Sequence, residues 1–117
     1  MAGHENFSAA PIQTTDATPV VVVLRKLHPG EVFAGLFITV AKTAAGAVSV
    51  FRNFRTAQRI GSAGATLVGG ALVGLPENTG VTWTCAIGVS GNAIIATLTG
   101  AAGTTITWVP GVMAVAN

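Results

Sequence analysis

The side chains that could carry acid–base chemistry are few and scattered along the chain. Four carboxylates and two histidines occur in 117 residues: Glu5, Asp16, Glu31, Glu77, His4 and His28. Hydrolysis by paired carboxylates needs two acids held in one cleft, and all four acids lie in a predicted N-terminal arm or in turns. No Gly-x-Ser-x-Gly segment is present to expose a serine nucleophile. The sequence therefore predicts no enzyme.

Metal and cofactor ligands show no useful spacing. His4, His28 and Cys85 lie too far apart in sequence to form a local ligand set. The glycine-rich segment 61–64 lacks the Lys-Ser/Thr ending of a phosphate-binding loop. One cysteine excludes an internal disulfide, and its place in an alternating strand favours a buried small side chain. We expect neither a metal nor a cofactor.

Three arginines form the one cluster of charge. Arg52, Arg55 and Arg59 lie near Phe51 and Phe54, and arginines beside aromatic rings can grip phosphates and stack on bases. A nucleic-acid-binding module is therefore one alternative, although a net charge of only +2 makes it the less favoured one.

The other interpretation of these arginines is a protein interface. We expect them to face solvent or to pair with acids of an adjacent subunit, and Asp16 of the arm is one such acid. Asp16, Arg52, Arg55 and Arg59 are therefore the candidate interface residues.

Composition indicates that much of the surface is covered in the working state. Half of the residues are hydrophobic and 9% are charged, against about 25% charged in an ordinary soluble domain. Residues 78–117 carry no charged side chain. No apolar run is long enough for a membrane-spanning helix, and residues 1–19 lack the features of a signal peptide. We therefore expect a homo-oligomer and no membrane partner.

The most clearly specified stretch is 81–110. Apolar and small polar residues alternate over 81–90, which is the pattern of a strand with one buried face. Turns at 90–92 and 100–103 divide the stretch into three predicted strands of one β-meander. The residues expected to form its core are Trp83, Ile87, Leu98, Ile106 and Trp108.

The rest of the chain predicts further strands. They are expected at 20–27, 32–42, 48–60 and 65–69, with a loop over 71–80. Within 32–42, alternation places Leu36, Ile38 and Val40 on one face and Phe33 and Phe37 on the other. The sequence predicts an all-β fold, an antiparallel β-sandwich (jelly-roll or Ig-like) or small barrel of about seven or eight short strands. Residues 1–18 are expected to form a flexible or extended arm and residues 19–117 the sandwich domain.

Three segments carry a resemblance to a known family. They are TTDATP at 14–19, FRTAQRIG at 54–61, and a closing pattern from Trp83 to Trp108 in which a Gly-Asn turn precedes Thr-Gly-x-x-Gly-Thr-Thr-Ile-x-Trp. Together they resemble a β-sandwich module of bacteriophage virion proteins, which include tail-fibre and other tail or head components. The resemblance implies a structural and usually oligomeric protein without enzymatic activity, made in the host cytoplasm and located in the virion.

Within that family, the shortness of the chain favours a small accessory subunit. The expectation is a capsid decoration (cement) subunit, with a trimer as the favoured oligomer and the major capsid protein or other virion proteins as partners. The alternative is a tail or head fibre component that binds a receptor through loops such as 71–80.

Overall fold

The computed structural model describes the backbone of residues 3–117 and the side chains from residue 8 onward. Over this range the chain forms ten strands and no helix. They are β1 (Gly3–Ser8), β2 (Ile12–Thr14), β3 (Val20–Lys26), β4 (Val32–Lys42), β5 (Val48–Arg59), β6 (Ala65–Val73), β7 (Glu77–Asn78), β8 (Thr84–Ser90), β9 (Ala93–Thr99) and β10 (Ile106–Ala116). Every pairing is antiparallel. The prediction of an all-β antiparallel fold is confirmed, whereas the jelly-roll or Ig-like type stays a prediction.

The strands form two sheets. The large sheet has the order β1-β10-β4-β5-β6, with β2 also paired to β10 and β7 also paired to β5. The small sheet has the order β3-β9-β8. Strands β1 and β2 lie inside the segment predicted as an arm, and both pair with the same edge of β10.

The closing stretch is divided between the sheets. Strands β8 and β9 form a hairpin in the small sheet around Gly91, whose φ is +58°. The chain then crosses at 100–105, and β10 enters the large sheet between β4 and the β1/β2 pair. The prediction of one three-stranded meander is therefore wrong at its third strand. Alternation specifies a buried face but does not specify which layer supplies the partner.

The predicted loop over 71–80 is also partly strand. Strand β6 continues to Val73 through Gly69, whose φ of +68° only glycine adopts readily. The pairing of β5 with β6 shifts register between Phe54 and Thr56, so the extra residues form a bulge. Beyond the bulge, β6 pairs with β5 again at Leu72 and Val73. From the sequence alone, a bulge of this kind cannot be distinguished from a turn that ends the strand.

The core lies between the sheets and centres on Trp108. This side chain is fully buried, with the ring centroid of Trp83 6.2 Å away and that of Phe51 6.0 Å away. Leu98 and Ile106 are also fully buried, and Ile87 is half-buried against the same cluster. Further fully buried residues come from β4 and β9: Phe33, Phe37, Ala41, Ile94 and Ala96.

Candidate functional site: an apolar outer sheet face

The four candidate interface residues do not come together. Within the part of the chain whose side chains are described, no hydrogen bond or ion pair joins Asp16 to Arg52, Arg55 or Arg59. The Asp16 carboxylate instead accepts the backbone N–H of Thr18 at 2.8 Å and so closes a local turn. The four residues are therefore not joined within one chain, and their role at an interface between subunits stays a prediction.

Two of the arginines are used inside the chain. Arg59 donates to three backbone carbonyls, those of Leu27, Ser62 and Ala63, at 2.8–3.2 Å. Arg52 forms an ion pair with Glu77 and thereby joins β5 to β7. These contacts engage guanidinium N–H donors that would otherwise be available to bind a phosphate. The two side chains therefore stabilise turns and strand ends.

Arg55 lies on the opposite face of β5 from Arg52. It pairs in register with Gly35 of β4 and is half-buried. Its Nε is buried and has no hydrogen-bond partner among the described residues. One isolated guanidinium does not make a nucleic-acid groove, which needs a charged track with stacking platforms.

A buried ion pair that sequence reasoning missed joins the two layers near one end. Glu31 is 2% exposed, and its Oε2 lies 2.7 Å from Nη2 of Arg25. The other carboxylate oxygen accepts the backbone N–H of His28 at 3.3 Å, and the guanidinium carbon of Arg25 lies 5.0 Å from the ring centroid of Phe33. A carboxylate engaged this way holds the 28–31 turn. The one available signal was an acid placed directly after a Pro-Gly turn.

Cys85 is half-buried on β8. Its thiol lies 3.5 Å from Oγ1 of Thr39, and burial raises the pKa of the thiol despite that hydrogen bond. A thiol held neutral in this way is a poor nucleophile. The described residues also contain no group of three or more His, Cys, Asp or Glu side chains able to hold a metal ion.

The most distinctive surface of the molecule is the outer face of the large sheet. This outer face is the one turned away from the small sheet. Alternation along β4 buries Phe33 and Phe37 and turns Leu36, Ile38 and Val40 outward. The neighbouring strands β5, β6 and β10 also turn apolar side chains outward. The apolar members of this outer face are Val32, Ala34, Leu36, Ile38, Val40, Val48, Val50, Phe54, Val68, Leu72, Val109, Met113 and Val115.

Register aligns these side chains in rows across the strands. One row crosses four strands through Met113, Leu36, Phe54 and Leu72, each residue directly opposite the next. A parallel row runs through Val109, Val40 and Val50, and another through Val115, Ala34, Thr56 and Val68. Side chains directly opposite each other lie about 5 Å apart. The outer face is therefore a continuous apolar surface and not a set of isolated exposed residues.

Among the residues whose side chains are described, this face carries few charges. Arg52 and Glu77 lie on it and neutralise each other, and Lys42 stands at the end of β4. Two shallow depressions, of about 730 and 520 Å³, open on it and share Leu36 and Met113 in their walls. The described walls are mainly apolar, with Arg55 as their one charged residue, so the surface has the chemistry of a packing face.

Comparison with known proteins assigns no family. A scan against protein families found no match, and a search of curated proteins found none either. Among solved structures, the chain is similar to one described as the crystal structure of the Acinetobacter phage vB_ApiP_P1 tailspike protein, with 11% identity and a TM-score of 0.42. The similarity covers 92% of this chain and 20% of the tailspike chain, so this chain spans about a fifth of that protein's length. A likeness of this degree assigns neither a fold family nor a function.

Among residues 3–117, no helix has the length and apolar composition needed to span a lipid bilayer.

Proposed function

We propose that this chain is a structural, non-enzymatic subunit of a bacteriophage virion, and specifically a decoration subunit on the outside of the capsid. The observation that carries the proposal is the apolar outer face of the large sheet. An exposed apolar face of this extent is unusual on a monomer, whose largest apolar patch is commonly about 300–600 Å². Covering it from water is the most favourable process open to this molecule.

The virion setting is supported by the sequence resemblance of segments 14–19, 54–61 and 83–108. Assembly as the mode of action is supported by the fate of the polar groups. The Arg25–Glu31 pair and Arg59 serve the fold itself, and the thiol of Cys85 is held neutral. We propose a homo-oligomer, with a trimer as its expected form and the major capsid protein as its partner on the particle.

The mechanism is the burial of apolar surface at joints between subunits. At about 25 cal/mol per Å², a standard contact of about 1,600 Å² gives tens of kcal/mol gross, and association costs offset most of it. Many copies of one modest contact over a shell then resist the pressure of packaged DNA.

The test is the location of the chain in purified particles. Mass spectrometry should find it in particles at high copy number, and an electron-microscopy map should place it on the outer head surface. Particles that lack it should release their DNA at lower temperature than complete particles. Absence from particles contradicts the whole proposal. Presence on the tail contradicts the decoration role and leaves the virion assignment standing.

A further inference from the structure

We infer that the partner covering the outer face of the large sheet is a second copy of this chain, packed sheet against sheet. The inference rests on the proposed function in treating this face as an assembly surface, and it adds the identity of the occupant. Three properties of the face support it: its area, its charge and its shape.

The area is that of a stable protein interface. Seven large apolar side chains of the face are exposed by between 41% (Val68) and 71% (Leu72). The apolar rows cross four strands that lie about 4.8 Å apart, and β4 runs for eleven residues at about 3.3 Å each. The face therefore covers on the order of 700 Å². A standard interface buries about 800 Å² on each partner, so one further copy suffices to cover the face, and the proposed trimer would form through other surfaces.

The charge of the face favours an identical partner. Arg52 and Glu77 already form a pair, which leaves Lys42 as the one charge of the described face without an ion-pair partner, too little to attract a charged protein or a nucleic acid. For the same reason, two copies brought face to face do not repel each other, except where Lys42 stands at one end. A two-fold contact requires a surface that complements itself, and a neutral apolar surface meets this condition.

The shape of the face suits sheet-on-sheet packing. The four side chains of the row through Met113, Leu36, Phe54 and Leu72 line the 730 Å³ depression, so exposed side chains of one copy can enter between those of the other. Apolar sheet faces pack in this way about 10 Å apart, with their strands within about 30° of alignment. The small sheet is less suited, because Thr97 and Thr99 interrupt the apolar residues of β9 on its outer side.

The experiment compares matched charge substitutions on the two outer surfaces of the full-length protein. Val40 on the large sheet is 42% exposed, and Val21 on the small sheet is 58% exposed. Sedimentation velocity and light scattering should give a dimer or larger species for the wild type. Val40→Glu should weaken association at least roughly thirty-fold, the scale of a central interface residue, whereas Val21→Glu should leave it unchanged. Leu72→Glu, on the exposed edge strand β6, is a second face variant in case Val40→Glu does not fold.

Far-UV circular dichroism must show that the compared variants remain folded. A monomeric wild type at about 100 μM overturns the inference, since a specific interface has a Kd well below that. Equal dissociation by Val40→Glu and Val21→Glu also overturns it. A particle that lacks the chain would contradict the proposed function and leave the self-association result unchanged, so the two failures are distinguishable.

Discussion

The buried hydrogen bond between Trp108 and Thr14 can be deleted from either side, and from the Thr14 side with little change in shape. Nε1–H of Trp108 donates to Oγ1 of Thr14 across 3.0 Å, and both residues are buried. The bond ties β2 to the centre of the core. Thr14→Val keeps the branched side chain and removes the acceptor, so the indole N–H stays buried and unpaired. Such a group costs about 1–3 kcal/mol, which for a domain of this size lowers Tm by roughly 5–15 °C.

The opposite deletion, Trp108→Phe, removes the donor together with part of the ring. It leaves a void beside Trp83 and Phe51, and the expected loss is about 2–4 kcal/mol. The double variant has neither an unpaired N–H nor its acceptor. Its loss should therefore be close to that of Trp108→Phe alone, with a coupling energy between the two sites equal to the Thr14→Val loss, about 1–3 kcal/mol.

Urea unfolding followed by far-UV circular dichroism measures these losses. Protein concentration is held constant, because self-association shifts apparent stability by mass action. Thr84→Val, at an exposed position of β8, is the matched control and should change the free energy of unfolding by no more than about 0.5 kcal/mol. Additive losses in the double variant, or a Thr14→Val loss no larger than the control, would refute the assigned role of the bond.

Three other perturbations have defined outcomes. Glu31→Gln should lower the free energy of unfolding by about 2–4 kcal/mol in urea titrations, because it removes the carboxylate charge from the buried ion pair with Arg25. Gly100→Ala should cost about 1–3 kcal/mol in the same assay, because a Cβ there would lie 2.8 Å from Oγ1 of Thr14. The raised pKa of Cys85 favours the neutral thiol in the folded state. The contribution of the thiol to stability is therefore present below the unfolded pKa and is lost as pH rises through the folded pKa. A thiol-reactive dye should accordingly label the native protein more slowly than the unfolded protein.

Each of these outcomes has its own control. Glu77→Gln removes the exposed ion pair and should cost only about 0–1 kcal/mol, so a loss equal to that of Glu31→Gln would contradict the argument from burial. Gly88→Ala meets no atom within 4 Å, and an equal loss there would show that crowding is not the cause at Gly100. Labelling of Cys85 at one rate in native and unfolded protein would contradict its burial.

Most strands could be predicted from local pattern. Strands β3, β4, β5 and β9 were placed within about one residue of their bounds, because each is a run of β-branched or alternating residues closed by Gly, Pro or Asn. β8 begins three residues later than predicted, since Val81 to Trp83 approach the core without joining a ladder. The local sequence determines whether a segment is extended. The position of the partner strand determines where hydrogen-bonded pairing begins.

Pro110 illustrates what local pattern could not supply. Proline inside a strand usually argues against a central position, yet β10 continues through Pro110 between two neighbours. Its carbonyl accepts the N–H of Ala9 at 2.8 Å. In a strand the N–H and C=O of one residue point to the same side, so the missing N–H falls where residues 9–11 leave the ladder between β1 and β2. Only the register shows that no donor is needed there.

The outer face was predictable in part. Alternation along β4 separates Leu36 and Ile38 from Phe33 and Phe37, as the structure confirms. Both sets are apolar, however, so the sequence could not show which set faces the core. The pairing that places Met113 opposite Leu36 joins strands far apart in the chain, and no local signal encodes it. In the sequence, the arginines indicate an interface because they are charged. In the structure, uncharged residues between them form the apolar outer face.

The position of β10 also bears on how the molecule is made. This strand is synthesised after every one of its partners, and it fills the gap between β4 and the β1/β2 pair. Until residues 106–116 leave the ribosome, β1 and β2 have no ladder to join, and one edge of β4 lies open beside its apolar faces. A polypeptide released before that point lacks β10, the strand that joins β4 to β1 and β2 in the large sheet. Such fragments should stay unfolded and be degraded, so assembly receives only chains translated through Ala116.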